Sequence, residues 1–102
     1  MTSEFQYNFE WDPLKAVANL RKHGVTFERA ATVFQDPEAL SLHDRAHSDP
    51  DEDRWITLGM DAHGRVLVIS HTWREAGDGA ARCRIISARK ATKTEVRQYR
   101  AR

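Results

Sequence analysis

From Phe5 to Trp11 the chain alternates, with aromatic Phe5, Tyr7, Phe9 and Trp11 on one side and Gln6, Asn8 and Glu10 on the other. That period of two predicts a half-buried strand. Asp12-Pro13 ends it and opens a helix, Asp12 as N-cap and Pro13 at the first helical position. Leu14, Val17 and Leu20 recur at helical spacing and are expected to face inward, with Ala16 and Ala18 permitting close packing. Lys22 and His23 fall in the last turn, where cations offset the helix dipole, and Gly24 is the stop. A second helix follows, Thr26 capping it and Phe27, Ala30, Ala31 and Phe34 facing the core, until Asp36-Pro37 closes it.

Ala39 to Arg45 reads as a strand with Leu40 and Leu42 inward, and residues 44–53 as a polar, acidic loop. Arg54 to Met60 and Arg65 to Trp73 are two strands joined at Asp61-Ala62-His63-Gly64, where Gly64 supplies the positive φ of a hairpin loop. In the first, Ile56, Leu58 and Met60 share a face. In the second, Val66 and Val68 oppose Leu67 and Ile69, as expected of a central strand covered on both sides. Trp73 to Ala81 is a glycine-containing loop. After it, Arg82 onward forms a last strand around β-branched Ile85 and Ile86. At Thr92 the period changes: Thr92 and Glu95 have the spacing of a capping box, and Val96 and Tyr99 recur at helical spacing. The order β-α-α-β-β-β-β-α predicts an α+β fold spanning 1–102 as a single domain. Its expected form is an antiparallel sheet with two N-terminal helices on one face and a C-terminal helix.

Charge changes this picture from a fold to a surface. The net charge is +1, yet residues 1–53 hold 5 Lys/Arg against 11 Asp/Glu, while residues 54–102 hold 11 against 4. A basic second half suggests a polyanion partner, and near-neutrality overall argues against indiscriminate coating of nucleic acid. The single Cys83 excludes an internal disulfide and is compatible with a reducing, cytoplasmic setting. No apolar run approaches the ~20 residues of a membrane span, and the first five residues do not read as a signal peptide. His43, His47 and the neighbouring aspartates lack the spacing of a metal-ligand set, so no metal or other cofactor is expected.

Several short motifs occur together. Phe9-Glu-Trp-Asp-Pro-x-Lys15, Asn19-x-x-Lys22-His23-Gly24-Val-x-Phe27-Glu28-x-Ala30 and Phe34-x-Asp36-Pro37 resemble the BrnT family of toxins. Arg54-Trp55-x-x-x-Gly59, Gly64-Arg65 and Arg84-Ile-Ile-Ser-Ala-Arg-Lys-Ala91, followed by Glu95 and Tyr99, resemble the rest of that pattern. The loop from Arg74 to Ala81 departs from it in being longer. The resemblance implies a RelE-like ribonuclease fold and RNA cleavage that blocks translation. It also implies neutralisation by a BrnA-type antitoxin with a ribbon-helix-helix-type DNA-binding portion, in an oligomeric complex that binds its own operator DNA.

Metal-free RNA cleavage needs a base for the 2′-OH proton, an acid for the leaving 5′-oxygen and cations for the developing phosphorane charge. His23, beside Lys22 at a helix end, is the favoured proton carrier, with Glu28 a second candidate base and Arg89 a catalytic cation. Arg54, Arg84, Lys90, His71 and Trp73 are expected to bind RNA, the cations at phosphate and Trp73 (or Trp55) by stacking on bases. Each has a structural alternative: a dipole-satisfying end for His23, a satisfied core histidine for His71, a solvated face for any single arginine. A non-catalytic RNA-binding or protein-interaction module is the competing reading. An acidic inhibitor is expected over the basic sheet end and Thr92 to Tyr99, with the acidic loop outside that interface.

Overall fold

The computed structural model describes residues 6–75 and 79–101. Strand β1, Gln6–Glu10, is one residue shorter at its C-terminal end than the alternation predicts, and Phe5 lies outside the described residues. Helix α1, Pro13–His23, starts where expected: the Asp12 carboxylate accepts from the Leu14 N–H at 2.8 Å. It stops at Gly24, which adopts φ 69° and donates its N–H to Leu20 O. Helix α2, Phe27–Thr32, is capped by Thr26 and tightens into a 3₁₀ turn over Val33–Gln35. Strands β2 (Leu40–His43), β3 (Arg54–Met60) and β4 (Val66–Thr72) follow, then a two-residue β5 (Arg74–Glu75). Strand β6, Ala80–Lys90, begins earlier than the sequence suggests, and helix α3, Lys93–Arg100, carries the predicted capping box in full.

The sheet order is β1-β6-β4-β3-β2, with β5 pairing the start of β6. The expectation of a purely antiparallel sheet is corrected here, because β1 runs parallel to β6, Gln6 opposite Ala80 and Glu10 opposite Arg84. Parallel pairing joins strands far apart in sequence, and no local turn signal announces it. Along one face, Ser41, Thr57, Ile69 and Ala88 stand in register, and beside them His43, Trp55, His71 and Ile85. This face meets Val25, Phe27, Ala30 and Val33 from α2 and its flanks to form the core with Leu67, Ile69, Ile85 and Ala88. Gly59 is required there: a Cβ at that position would lie 2.8 Å from Val33 Cγ1 and 3.0 Å from Ala39 Cβ. The opposite face carries the rows Leu40–Leu58–Val68–Arg89 and Leu42–Ile56–Ser70–Ser87. Helix α3 contacts β3, and the Tyr99 hydroxyl donates to Asp36 Oδ2 at 2.6 Å.

Two inward assignments are corrected. Leu14, Val17 and Leu20 are 80%, 57% and 48% exposed, so the apolar stripe of α1 faces solvent. The inward side of α1 is instead held by Asn19, which donates to Val25 O and Ala88 O and accepts from the Ala88 N–H at 3.0 Å. Periodicity gives the width of an apolar stripe but not its direction, and here a polar clamp decides. Leu42 is also exposed, being on the uncovered face of an edge strand.

Candidate functional site

At the end of the sheet where β6 begins, β1, β4 and β6 meet the acidic loop around a cleft of about 400 Å³. Its lining is Glu10, Asp51, Glu52, Asp53, Thr72, Trp73, Arg74, Arg82 and Arg84. Alternation along β6 puts Arg82 and Arg84 on the face turned away from the helices, since Ala81, Cys83 and Ile85 are buried between them. Pairing with β5 sets Arg74 opposite Arg82, so three guanidinium groups converge. A second hollow of about 260 Å³ shares Glu10 and Arg82 with the cleft and adds Asn8 and Phe9.

The acidic loop is folded over these arginines. A 3₁₀ turn at Arg45–His47 and a bridge between Asp49 and Glu52 shape it, and Ser48 Oγ accepts from the Arg54 N–H at 2.9 Å. Arg84 Nη2 donates to Glu52 Oε1, an ion pair linking the acidic and basic halves of the chain. The loop therefore meets the basic sheet end through Glu52. Among the described residues, Arg74 and Arg82 form no ion pair. His43 bonds Asp53 at 3.1 Å and His47 bonds Asp44 at 2.9 Å, and no group of three or more His, Cys, Asp or Glu among the described residues could hold a metal ion.

The residues singled out from sequence divide into three places. Arg84 and Trp73 line the cleft, and Arg54 stands in register with Thr72 of its wall. The Asn19 clamp holds the α1–α2 turn, with Lys22 and His23 before it and Glu28 after it, toward Ala88 on the helix-covered face near the other end of β6. Arg89 at that end lies instead in the row of the opposite face, followed by Lys90. Arg84 and Arg89 are thus roughly 16 Å apart at ~3.3 Å per strand residue. Lys22 and Glu28 are exposed there and His23 is half-buried. His71 belongs to neither group. It is 2% exposed, inside the sheet's helix-covered face, against Phe34.

The surroundings of His71 fix its state. Nδ1 lies 2.9 Å from the Thr72 carbonyl, which can only accept, so Nδ1 carries the proton. Nε2 then accepts from the Thr57 hydroxyl at 2.6 Å, and Thr57 in turn accepts from Ser41 at 2.7 Å. Burial holds the imidazole below its usual pKa, against the opposing pull of the Thr72 carbonyl, and so keeps it neutral. The neighbouring Cys83 thiol is pushed up to about 12 by burial and is inert as a nucleophile. His71 is thus a buried, hydrogen-bonded histidine of the core, outside the cleft lining.

Arg89 is also committed. Its two Nη atoms donate to both Glu95 oxygens at 2.8 and 2.9 Å, and Glu95 Oε1 accepts from the Thr92 N–H as well. The Arg89 hydrogen bonds are the chief cause that brings the Glu95 pKa down to about 2. Sequence reasoning missed Arg74, Arg82, Glu10 and Glu52. The pairing of β1 with β6 and the fold of the loop bring them together, and neither has a local signature. Their one visible signal was the alternation of Arg82 and Arg84 about Cys83.

Set beside known proteins, residues 11–95 match the sequence model of a family described as ribonuclease toxin, BrnT, of type II toxin-antitoxin system. No curated protein matches the chain. Among the described residues, no helix is long and apolar enough to cross a membrane.

Proposed function

The chain belongs to the BrnT family of ribonuclease toxins, and on that premise we propose that it is an endoribonuclease that cleaves RNA at the arginine cleft without a metal. The observation that carries this reading is the convergence of Arg74, Arg82 and Arg84 with carboxylates in one concavity. Guanidinium groups match phosphate oxygens in pairs. In this reading a scissile phosphate takes Glu52's place on Arg84, with Arg74 and Arg82 around the remaining oxygens. The displaced Glu52 carboxylate then takes the 2′-OH proton. The 2′-oxygen bonds to phosphorus, the bond to the 5′-oxygen breaks, and water protonates the leaving oxygen. The products are a 2′,3′-cyclic phosphate and a 5′-hydroxyl, and the arginines stabilise the dianionic phosphorane between them. Trp73, 37% exposed at the rim, offers a stacking surface for a flanking base.

From the cleft, RNA follows β6 toward Lys90, Lys22 and His23, which bind downstream phosphates. His23 remains the competing proton carrier at that end. Cleavage would block translation, and a BrnA-type antitoxin with a ribbon-helix-helix DNA-binding portion would neutralise it in an oligomeric complex on operator DNA. The fold is proposed to be RelE-like, its sheet presenting the RNA-binding face.

Expression of the chain without antitoxin tests the reading. Growth arrest and RNA fragments ending in 2′,3′-cyclic phosphate, formed by the purified protein in excess chelator, are expected. Intact RNA after incubation with folded protein would favour the non-catalytic binding module instead.

A further inference from the structure

Helix α1 is amphipathic in the reverse sense. Its core-facing side carries Asn19, the polar clamp on β6, while Leu14, Val17 and Leu20 lie exposed on the far side. At 100° per residue these three, with Ala18, span an arc of roughly 160° centred near Arg21. Exposed aliphatic side chains grouped on one side of a helix, with Arg21 among them, mark an interaction surface. It is chemically wrong for RNA, whose backbone seeks cations and whose bases seek flat rings.

The charge around the arc says what covers it. Over Pro13–His23 the helix holds Lys15, Arg21 and Lys22 and no carboxylate, although the first half of the chain is otherwise strongly acidic. Cations beside exposed aliphatic side chains fit an amphipathic helix with its own apolar face and glutamates or aspartates along the edges. A second copy of α1 would set cation against cation. We infer that α1 is the docking face for an acidic amphipathic helix of the antitoxin. This rests on the toxin reading only for the source of the partner. It relocates the inhibitor from the basic sheet end and α3, where Glu52 of the acidic loop already pairs with Arg84. Seated on α1, the partner also reaches Lys22 and His23 in its last turn, so it lies beside the RNA path without filling the cleft.

Binding of the full-length antitoxin encoded in the same operon, measured by calorimetry against Leu14→Glu/Val17→Glu, tests this. The affinity is expected to fall by roughly 100-fold or more, the cost of losing two central apolar anchors. Arg21→Glu should slow association and reduce its salt dependence. Both variants keep the wild-type melting temperature, since the three side chains project into water. Unchanged antitoxin affinity in the double variant would overturn the proposal. So would a wild-type protein that dimerises by itself and becomes monomeric in the double variant with antitoxin binding intact. Binding is read without RNA, so a chain that binds antitoxin through α1 but cleaves nothing would overturn the ribonuclease reading alone.

Discussion

Arg84 and Arg89 lie on the same strand and each is paired with a glutamate, but the two glutamates come from different kinds of structure. Glu95 sits in the first turn of α3, where the Thr92 N–H and both Arg89 Nη atoms hold it. Two atoms of that pair also serve the junction between β6 and α3: Arg89 Nη1 donates to the Lys90 carbonyl and Glu95 Oε1 accepts from the Thr92 N–H. Glu52 meets Arg84 from a loop, through a single Nη, at the wall of the open cleft. An ion pair built into a helix cap resists exchange, because breaking it also uncaps the helix. A loop carboxylate on one guanidinium nitrogen can be replaced by a phosphate oxygen at little structural cost. Two arginines of equal charge on one strand thus stand differently: Arg89 fastens α3, and Arg84 is held only by a loop carboxylate, which is why the proposed reaction places the substrate phosphate on it.

Glu52→Gln probes the comparison most forcefully. If Glu52 is the base, single-turnover cleavage falls by about 10²–10⁴-fold, while affinity for an RNA made uncleavable by a 2′-deoxy linkage rises, because Arg84 loses its internal competitor. A loss of cleavage of that size in His23→Ala with Glu52→Gln active would move the chemistry to the far end of β6. Arg84→Ala should lower affinity for single-stranded RNA and flatten the slope of log K against log salt by roughly 0.7 for each phosphate that is no longer neutralised. Arg89→Ala, by contrast, should destabilise the fold by up to about 1 kcal/mol in denaturant unfolding and leave that slope unchanged.

The smallest effect concerns pH. Glu95 has its pKa depressed to about 2 from 4.5, so the folded state binds fewer protons than the unfolded chain between those values. Its contribution is present above pH 4.5 and is lost as pH falls toward 2. With the Glu95 side chain 25% exposed, that contribution is below about 1 kcal/mol. Glu95→Gln should flatten the acid limb of the stability curve and do nothing to its shape above pH 5 or so.

What could be read in the sequence follows the range of the forces concerned. The caps at Asp12, Thr26 and Thr92, the stop at Gly24 and the bounds of β3 are local matters of side chain and backbone, and all stand in the structure. The direction of the α1 stripe was not legible, because Asn19 finds Ala88 across 69 residues. The cleft was half legible. Arg84 and Trp73 were marked by strand position, but Arg74, Arg82, Glu10 and Glu52 join them only through the parallel β1–β6 pair, the short β5 and the folded loop. Arg89 shows the converse: its charge was visible, and the partner six residues on that commits it to structure went unweighed.

Single-turnover cleavage of one RNA in excess chelator, run side by side with Arg84→Ala and Arg89→Ala and normalised to folded protein, tests the central claim most directly. The expected result is a fall of about 10²–10³-fold for Arg84→Ala, the range for removing a group that stabilises developing charge. Arg89→Ala should stay within a few-fold of wild type. Wild-type rates for Arg84→Ala, with the large loss appearing in Arg89→Ala, would contradict the claim and place the reacting phosphate at the other end of the strand.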